Sequence, residues 1–129
     1  QFDVRAYALP EAKEKMKTQP ENVGAEEMYA VALDYGFNTA EGKAALATLQ
    51  QIHPDAPLTK LYRAHQMLEN KQNEEALRLL QIFKLNDGYY YNLLGVALAR
   101  NGQWDAARQY FQISDAPAAM QNLQSITVK

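Results

Sequence analysis

Small and apolar residues recur at steps of three and four between Tyr91 and Phe111. This spacing predicts two amphipathic helices separated by a turn at Asn101-Gly102. Gly95 and Ala107 fall near the middle of the two helices, and side chains of so little volume let two helices cross closely. The segment is therefore interpreted as one helical hairpin of a repeat, which needs neighbours to bury its apolar face.

Two weaker copies of the same pattern precede this hairpin. Ala107 aligns with Ala76 and then with Ala45, each 31 residues earlier. The preceding helices also align, with Ala32 and Ala64 opposite Gly95 when one extra residue is placed in the first turn. The alignment predicts three hairpins, which cover residues 25–53, 56–84 and 87–114.

Both ends of the chain differ from the hairpins. The pattern of residues 116–126 predicts a capping helix, and its Met120, Leu123 and Ile126 are expected to cover the last hairpin. An open-ended stack of hairpins requires such a cap. Residues 1–24 predict a separate N-terminal helical segment, which is a half-repeat, a cap or an arm that packs elsewhere. The chain opens on Gln1 and not Met, so we expect a trimmed product. No alternation typical of strands occurs, and the predicted fold class is all-α.

The third hairpin resembles the tetratricopeptide repeat (TPR) family. The residues that carry the resemblance are Tyr91, Leu94-Gly95, Leu98, Gly102, Trp104, Ala107 and Phe111, with Leu98 where the family more often has tyrosine. The resemblance covers roughly residues 25–126. It implies a solenoid of about three hairpins, a concave groove lined by the first helix of each pair, and a packing role for Trp104 between repeats.

The TPR resemblance also implies which side chains face the groove. The set is apolar and aromatic, which suits a partner peptide or helix bound through side-chain anchors. Tyr91 is interpreted as a packing residue and Tyr90 as a side chain that points sideways, so that only Tyr89 of the three consecutive tyrosines faces the groove. Whether the N-terminal segment fills the groove is left open. The expected partner-binding residues are Tyr29, Leu33, Leu61, Tyr62, His65, Tyr89, Asn92, Leu93, Val96 and Arg100.

The C-terminal helix carries a second, narrower resemblance. The run from Pro117 to Gln124 is similar to bacterial TPR proteins of the TadD type, which assist pilus assembly and are typically lipid-anchored at the outer membrane. This resemblance implies an assembly factor in the periplasm or at the outer membrane, with the cytoplasm as the alternative compartment.

Composition narrows the classes of function. The 129 residues suit one domain, with 47% hydrophobic and 22% charged residues. The net charge is -2 and no basic block occurs, so a nucleic-acid partner is not expected. The absence of cysteine excludes disulfides, cysteine-based zinc sites and a thiol nucleophile. No apolar run approaches the ~18 residues that predict a membrane span.

Candidate catalytic chemistry is sparse. His53 and His65 are the only imidazoles, and their separation does not match metal-ligand spacing on a helix. We therefore expect no cofactor, no metal and no catalytic residue. The predicted function is a non-catalytic adaptor or assembly factor. The alternatives are a homo-oligomerising scaffold and an enzyme, or hydrolase accessory, with an unrecognised site.

Overall fold

The computed structural model describes residues 6–127, and side chains through Ser125. Within this range the regular structure is helical and contains no strand, which confirms the all-α prediction. Helix contacts divide the chain into two compact units, one up to Lys60 and one from Leu61, with the boundary inside α4. The helices are α1 Leu9–Thr18, α2 Ala25–Tyr35, α3 Ala40–Ile52, α4 Pro57–Glu69, α5 Asn73–Gln81, α6 Gly88–Arg100, α7 Trp104–Ile113 and α8 Pro117–Thr127, with a short 3-10 helix at Pro20–Asn22.

The first unit is built around the α2–α3 hairpin. The Thr39 hydroxyl caps α3 by accepting from the Gly42 amide at 3.0 Å, and it donates to the Gly36 carbonyl at 2.7 Å. Such a cap satisfies an amide that has no partner within the helix. The interior of this unit holds the fully buried side chains Met28, Val31, Leu46 and Leu49.

Polar contacts attach the N-terminal segment to this hairpin, at α2 and at the end of α3. Lys13 pairs with Asp34 across α1 and α2 at 2.5 Å. The ring nitrogen Nε2 of His53 lies 2.8 Å from the Val23 carbonyl oxygen, which makes His53 a structural link.

The second unit contains the α6–α7 hairpin, in which two helices approach closely. A β-carbon placed on Gly95 would lie 2.5 Å from the ring of Phe111, closer than real contacts allow. Ala107, on the facing helix, is fully buried. The small residues singled out by the sequence pattern thus lie inside the hairpin, where their volume sets the distance between the helices.

Tyr90 joins α5 to α6. Its side chain is buried, and its hydroxyl lies 2.7 Å from the carbonyl oxygen of Leu80 and 2.9 Å from that of Phe83. These carbonyls lie at and just beyond the C-terminal end of α5, where helix carbonyls lack partners within the helix. Tyr90 is therefore a packing residue that also completes a helix end.

The turns after α4 and α6 have the same hydrogen-bond pattern. Gln72 donates from its amide to the Met67 carbonyl, and Gln103 does so to the Leu98 carbonyl, each bond spanning five residues. The residue before each donor has positive φ, 62° at Lys71 and 82° at Gly102. This pattern ends a helix with one left-handed residue.

The structure corrects two expectations. Met120 is 65% exposed, so it does not cover the last hairpin; Ala116 and Ala119 are the buried residues at the start of α8. Trp104 is 41% exposed and is not a core residue. Ile126, the third member of the predicted stripe, has a side chain outside the described set.

None of the helices in the described range combines the length and apolar character needed to cross a bilayer.

Candidate partner-binding surface

One strip of predicted site residues runs along the second half of α4. Tyr62 is half-buried, and Gln66 donates to its hydroxyl at 3.2 Å. His65 follows, with its ring centre 6.5 Å from that of Tyr62 and its Nε2 2.5 Å from a carboxylate oxygen of Glu69. Tyr62 and His65, three residues apart, therefore lie next to each other on one face of α4.

The Tyr62 phenol is neutral at physiological pH. Burial raises its pKa above the usual value, and the negative charge of Glu69 raises the pKa further, while the Gln66 hydrogen bond opposes the shift. A neutral phenol presents an apolar ring and one polar tip, a combination common among interface anchors.

A second strip runs along α6. Tyr89 begins it and is 42% exposed, while Leu93 and Val96 are half-buried. The spacing of four and three residues places these side chains on one helix face. The buried Asp87 carboxylate accepts from the Tyr89 amide at 2.8 Å and so caps the helix where the strip begins.

Hydrogen bonds connect α6, which carries the second strip, to α4 and to α5. The Arg100 guanidinium donates to the Leu68 carbonyl at 2.7 Å, across α6 and α4. The Asn101 amide donates to the Asn73 carbonyl at 3.0 Å, across α6 and α5. Arg100 was expected to contact a partner, and in this structure its side chain links the two helices instead.

The side chain of Asn92 is hydrogen-bonded to a residue of α8. Its side-chain oxygen accepts from the Asn122 amide at 2.9 Å. Asn92 therefore contributes to the docking of α8 on α6. Asn122 was not among the predicted site residues, and no periodic signal in the sequence could have paired the two.

The remaining predicted site residues divide by burial. Tyr29 is 7% exposed and packs its ring edge against Phe37, with ring centres 5.4 Å apart. Leu61 is 4% exposed. We assign these two side chains to packing. Leu33 is half-buried and lies on α2, in the unit up to Lys60.

The candidate surface, named the α4–α6 surface, consists of Tyr62, His65, Tyr89, Leu93 and Val96. It offers two tyrosine rings, two aliphatic side chains and one imidazole, and it carries no permanent charge. Within the residues that the structure describes, no group of three or more His, Asp or Glu side chains is arranged to hold a metal ion.

Comparison with known proteins finds no family model, no curated protein and no solved structure that matches this chain.

Proposed function

We propose that this protein is a non-catalytic protein–protein interaction module of the TPR type, acting as an adaptor or assembly factor. A peptide or helix of the partner would lie along the α4–α6 surface. The observation that carries the proposal is that α4 and α6, the first helices of successive predicted hairpins, are linked by the Arg100–Leu68 hydrogen bond and each carry half-buried or exposed aromatic or aliphatic side chains.

The chemistry of the surface favours an apolar partner segment. Tyr62 is neutral, and Leu93 and Val96 are aliphatic. The charged groups beside the strips have partners within the chain, since Glu69 pairs with His65 and Arg100 donates to the Leu68 carbonyl. A partner segment that packs aromatic or aliphatic anchors against Tyr62 and Tyr89 gains most from this arrangement.

Two features support the TPR assignment. Ala32, Ala64 and Gly95 are buried on the first helices, and Ala45, Ala76 and Ala107 are buried on the second helices. The Lys71 and Gly102 turns repeat one hydrogen-bond pattern at 31-residue spacing. The similarity of α8 to TadD-type proteins favours pilus assembly among the pathways such an adaptor could serve.

Affinity capture from the organism of origin tests this proposal. Wild-type protein is compared with Tyr62→Ala/Tyr89→Ala and with Trp104→Ala/Tyr110→Ala, a control that removes two aromatic rings from α7. The proposal predicts a partner that is retained by wild type and by the control and lost by the first variant. A captured set identical for all three proteins would contradict it.

A homo-oligomer is the second candidate function. Ile82, Ile113 and Met120 are 72%, 60% and 65% exposed, and they would favour self-association where they form one apolar patch. Light scattering over a range of concentrations decides between the two. A mass that rises with concentration and returns to the monomer value in Ile82→Lys/Ile113→Lys would support self-association.

A further inference from the structure

Asn101 and Gly102 form the turn after α6, and they are the one Asn-Gly pair in the chain. Spontaneous deamidation is fastest in this dipeptide, because glycine has no side chain to shield its backbone nitrogen. The reaction needs water and no enzyme. The Gly102 nitrogen loses its proton and forms a bond to Cγ of Asn101, the Cγ–Nδ2 bond breaks, and Nδ2 leaves as ammonia. Water then opens the cyclic imide to give aspartate or isoaspartate.

The folded turn holds the reacting atoms of Asn101 and Gly102 apart. The ψ angle of Asn101 is 11°, which places the Gly102 nitrogen beside the backbone nitrogen of Asn101 and away from its Cβ. The Gly102 amide also donates to the Ala99 carbonyl at 3.0 Å. Attack on Cγ therefore requires the turn to open, with rotation about ψ and loss of this hydrogen bond.

The side-chain amide of Asn101 is held by two acceptors. Its Nδ2 donates to the Asn73 carbonyl at 3.0 Å and to the Ala97 carbonyl at 2.7 Å. The first bond joins the end of α6 to the start of α5, and the second satisfies a carbonyl in the last turn of α6. Nδ2 is therefore both the leaving group of the reaction and the donor that links the two helices.

Deamidation would remove this link. A carboxylate at position 101 has no proton to donate, so the Asn73 and Ala97 carbonyl oxygens would face its negative charge without a donor. The charge would also lie at the C-terminal end of α6, where the helix dipole disfavours an anion. Isoaspartate would in addition lengthen the main chain within the turn. Neither product can restore the original bonds.

We propose that Asn101 is a site of spontaneous deamidation gated by opening of the turn after α6, and that the modification disconnects α6 from α5. The closed turn protects the side chain, and each opening gives the Gly102 nitrogen access to Cγ. The modified fraction of the protein thus records the time that the turn has spent open. The site does not depend on the function proposed for the α4–α6 surface.

Peptide mapping by mass spectrometry tests the gating. Wild-type protein is incubated folded and in urea, at mildly alkaline pH, where the Gly102 amide loses its proton more readily. Arg100→Ala removes the bond between the end of α6 and the Leu68 carbonyl, and should therefore favour opening of the turn. Arg108→Ala is the matched control, because Arg108 pairs with Asp105 of its own helix. Circular dichroism checks that both variants remain helical.

In urea, Asn101 should be the first asparagine to react. In the folded protein it should react at least about tenfold more slowly, because only molecules with an open turn react. Folded Arg100→Ala should react about three- to tenfold faster than folded wild type, because opening no longer breaks a charge-assisted hydrogen bond. Folded Arg108→Ala should react within about twofold of wild type, because an exposed ion pair contributes little.

Asn101→Asp reproduces one product and tests its effect on the fold. It should raise the equilibrium constant for unfolding at least about tenfold, because two carbonyls lose their donor and meet a charge. Asn38→Asp makes the same charge change at an exposed position between α2 and α3, and should change that constant within about twofold. Urea unfolding followed by circular dichroism measures both constants.

Four outcomes would overturn the proposal. Equal rates in folded and unfolded protein would show that the turn does not gate the reaction. An intact Asn101 in urea, after other asparagines have reacted, would remove it as a site. A wild-type rate in folded Arg100→Ala would show that release of the α6 end is not the gating motion. Wild-type stability of Asn101→Asp would show that the product keeps the helices connected.

Discussion

Lys71 and Gly102 occupy the same place in two equivalent turns, after α4 and after α6, with φ angles of 62° and 82°. Glycine adopts this left-handed region freely, whereas a side chain there costs about 1–2 kcal/mol. The hydrogen bonds on either side of the two residues are equivalent. The turn after α4 is thus a version of the turn after α6 that retains backbone strain.

Replacing Lys71 by glycine should stabilise the protein. We expect Lys71→Gly to raise the free energy of unfolding by about 0.5–1 kcal/mol, the strain relieved less the extra entropy of glycine in the unfolded chain. Gly102→Lys should lower it by a similar amount. Urea unfolding followed by circular dichroism measures both changes. Lys71→Ala is the control, because alanine keeps the strain; equal stabilisation by alanine and glycine would show that φ is not the cause.

Removing the side-chain hydroxyl of Tyr90 should destabilise the second unit. Tyr90→Phe leaves the Leu80 and Phe83 carbonyls without their buried donor, which should cost about 1–3 kcal/mol of unfolding free energy. The neighbouring Tyr91→Phe loses only an exposed bond to Asn86 and should cost less than about 0.5 kcal/mol. Chemical denaturation of the two variants compares them. Equal losses of unfolding free energy in Tyr90→Phe and Tyr91→Phe would show that burial of the Tyr90 hydroxyl does not contribute to stability.

The Tyr7 phenol should make stability depend on pH in the alkaline range. Burial raises the pKa of Tyr7 from 10.0 to about 12, with further contributions from its hydrogen bond to Glu26 and from the charges of Glu26 and Glu27. Between these values the unfolded chain loses the proton first, so the unfolded state binds fewer protons and stability falls as pH rises.

Tyr7→Phe removes this contribution to the pH dependence. The difference in unfolding free energy between wild type and Tyr7→Phe should be constant below pH 10 and should decline between about pH 10 and 12. Urea unfolding at a series of pH values measures the difference. A difference that stays constant across the whole range would show that Tyr7 is not perturbed in the folded protein.

Much of the fold could be predicted because its signals are local. Periodicity marks each helix, and Gly102, Pro57 and Pro117 lie where helices end or begin. Small residues repeated at equal spacing identify the positions where helices cross. The burial of Gly95 and Ala107 follows directly from these signals.

What the sequence could not predict depends on contacts between distant residues. Among three consecutive tyrosines, Tyr90 is the most buried because the end of α5 provides two acceptors for its hydroxyl. The rotation of α8, and with it the exposure of Met120, accompanies the Asn122–Asn92 bond and the donation from Ser114 to the Gly88 carbonyl at 2.6 Å. Helical periodicity alone does not indicate that Tyr90 is buried or that Met120 is exposed.

The candidate surface was predictable only in part for the same reason. The helix register indicates the faces on which Tyr62 and Tyr89 lie, and the structure shows Tyr62 half-buried and Tyr89 exposed. The burial of Tyr29 and Leu61, and the use of Arg100 in a link between helices, are tertiary effects. The sequence also gives no sign of a small apolar cleft between α1, α2 and α3, because Ala44 and Thr48 are ordinary residues for a helix and the space beside them exists only where α1 meets α2 and α3.

The most direct test of the account is the affinity of the captured partner for single variants of the α4–α6 surface, measured by isothermal titration calorimetry. Tyr62→Ala and Tyr89→Ala should each weaken binding by about 2 kcal/mol, roughly thirtyfold, because each removes an interface anchor. Trp104→Ala, which removes a ring of similar exposure from α7, should leave affinity within about twofold, and helicity should be unchanged in all three. Wild-type affinity in both tyrosine variants would contradict the claim that this surface binds the partner.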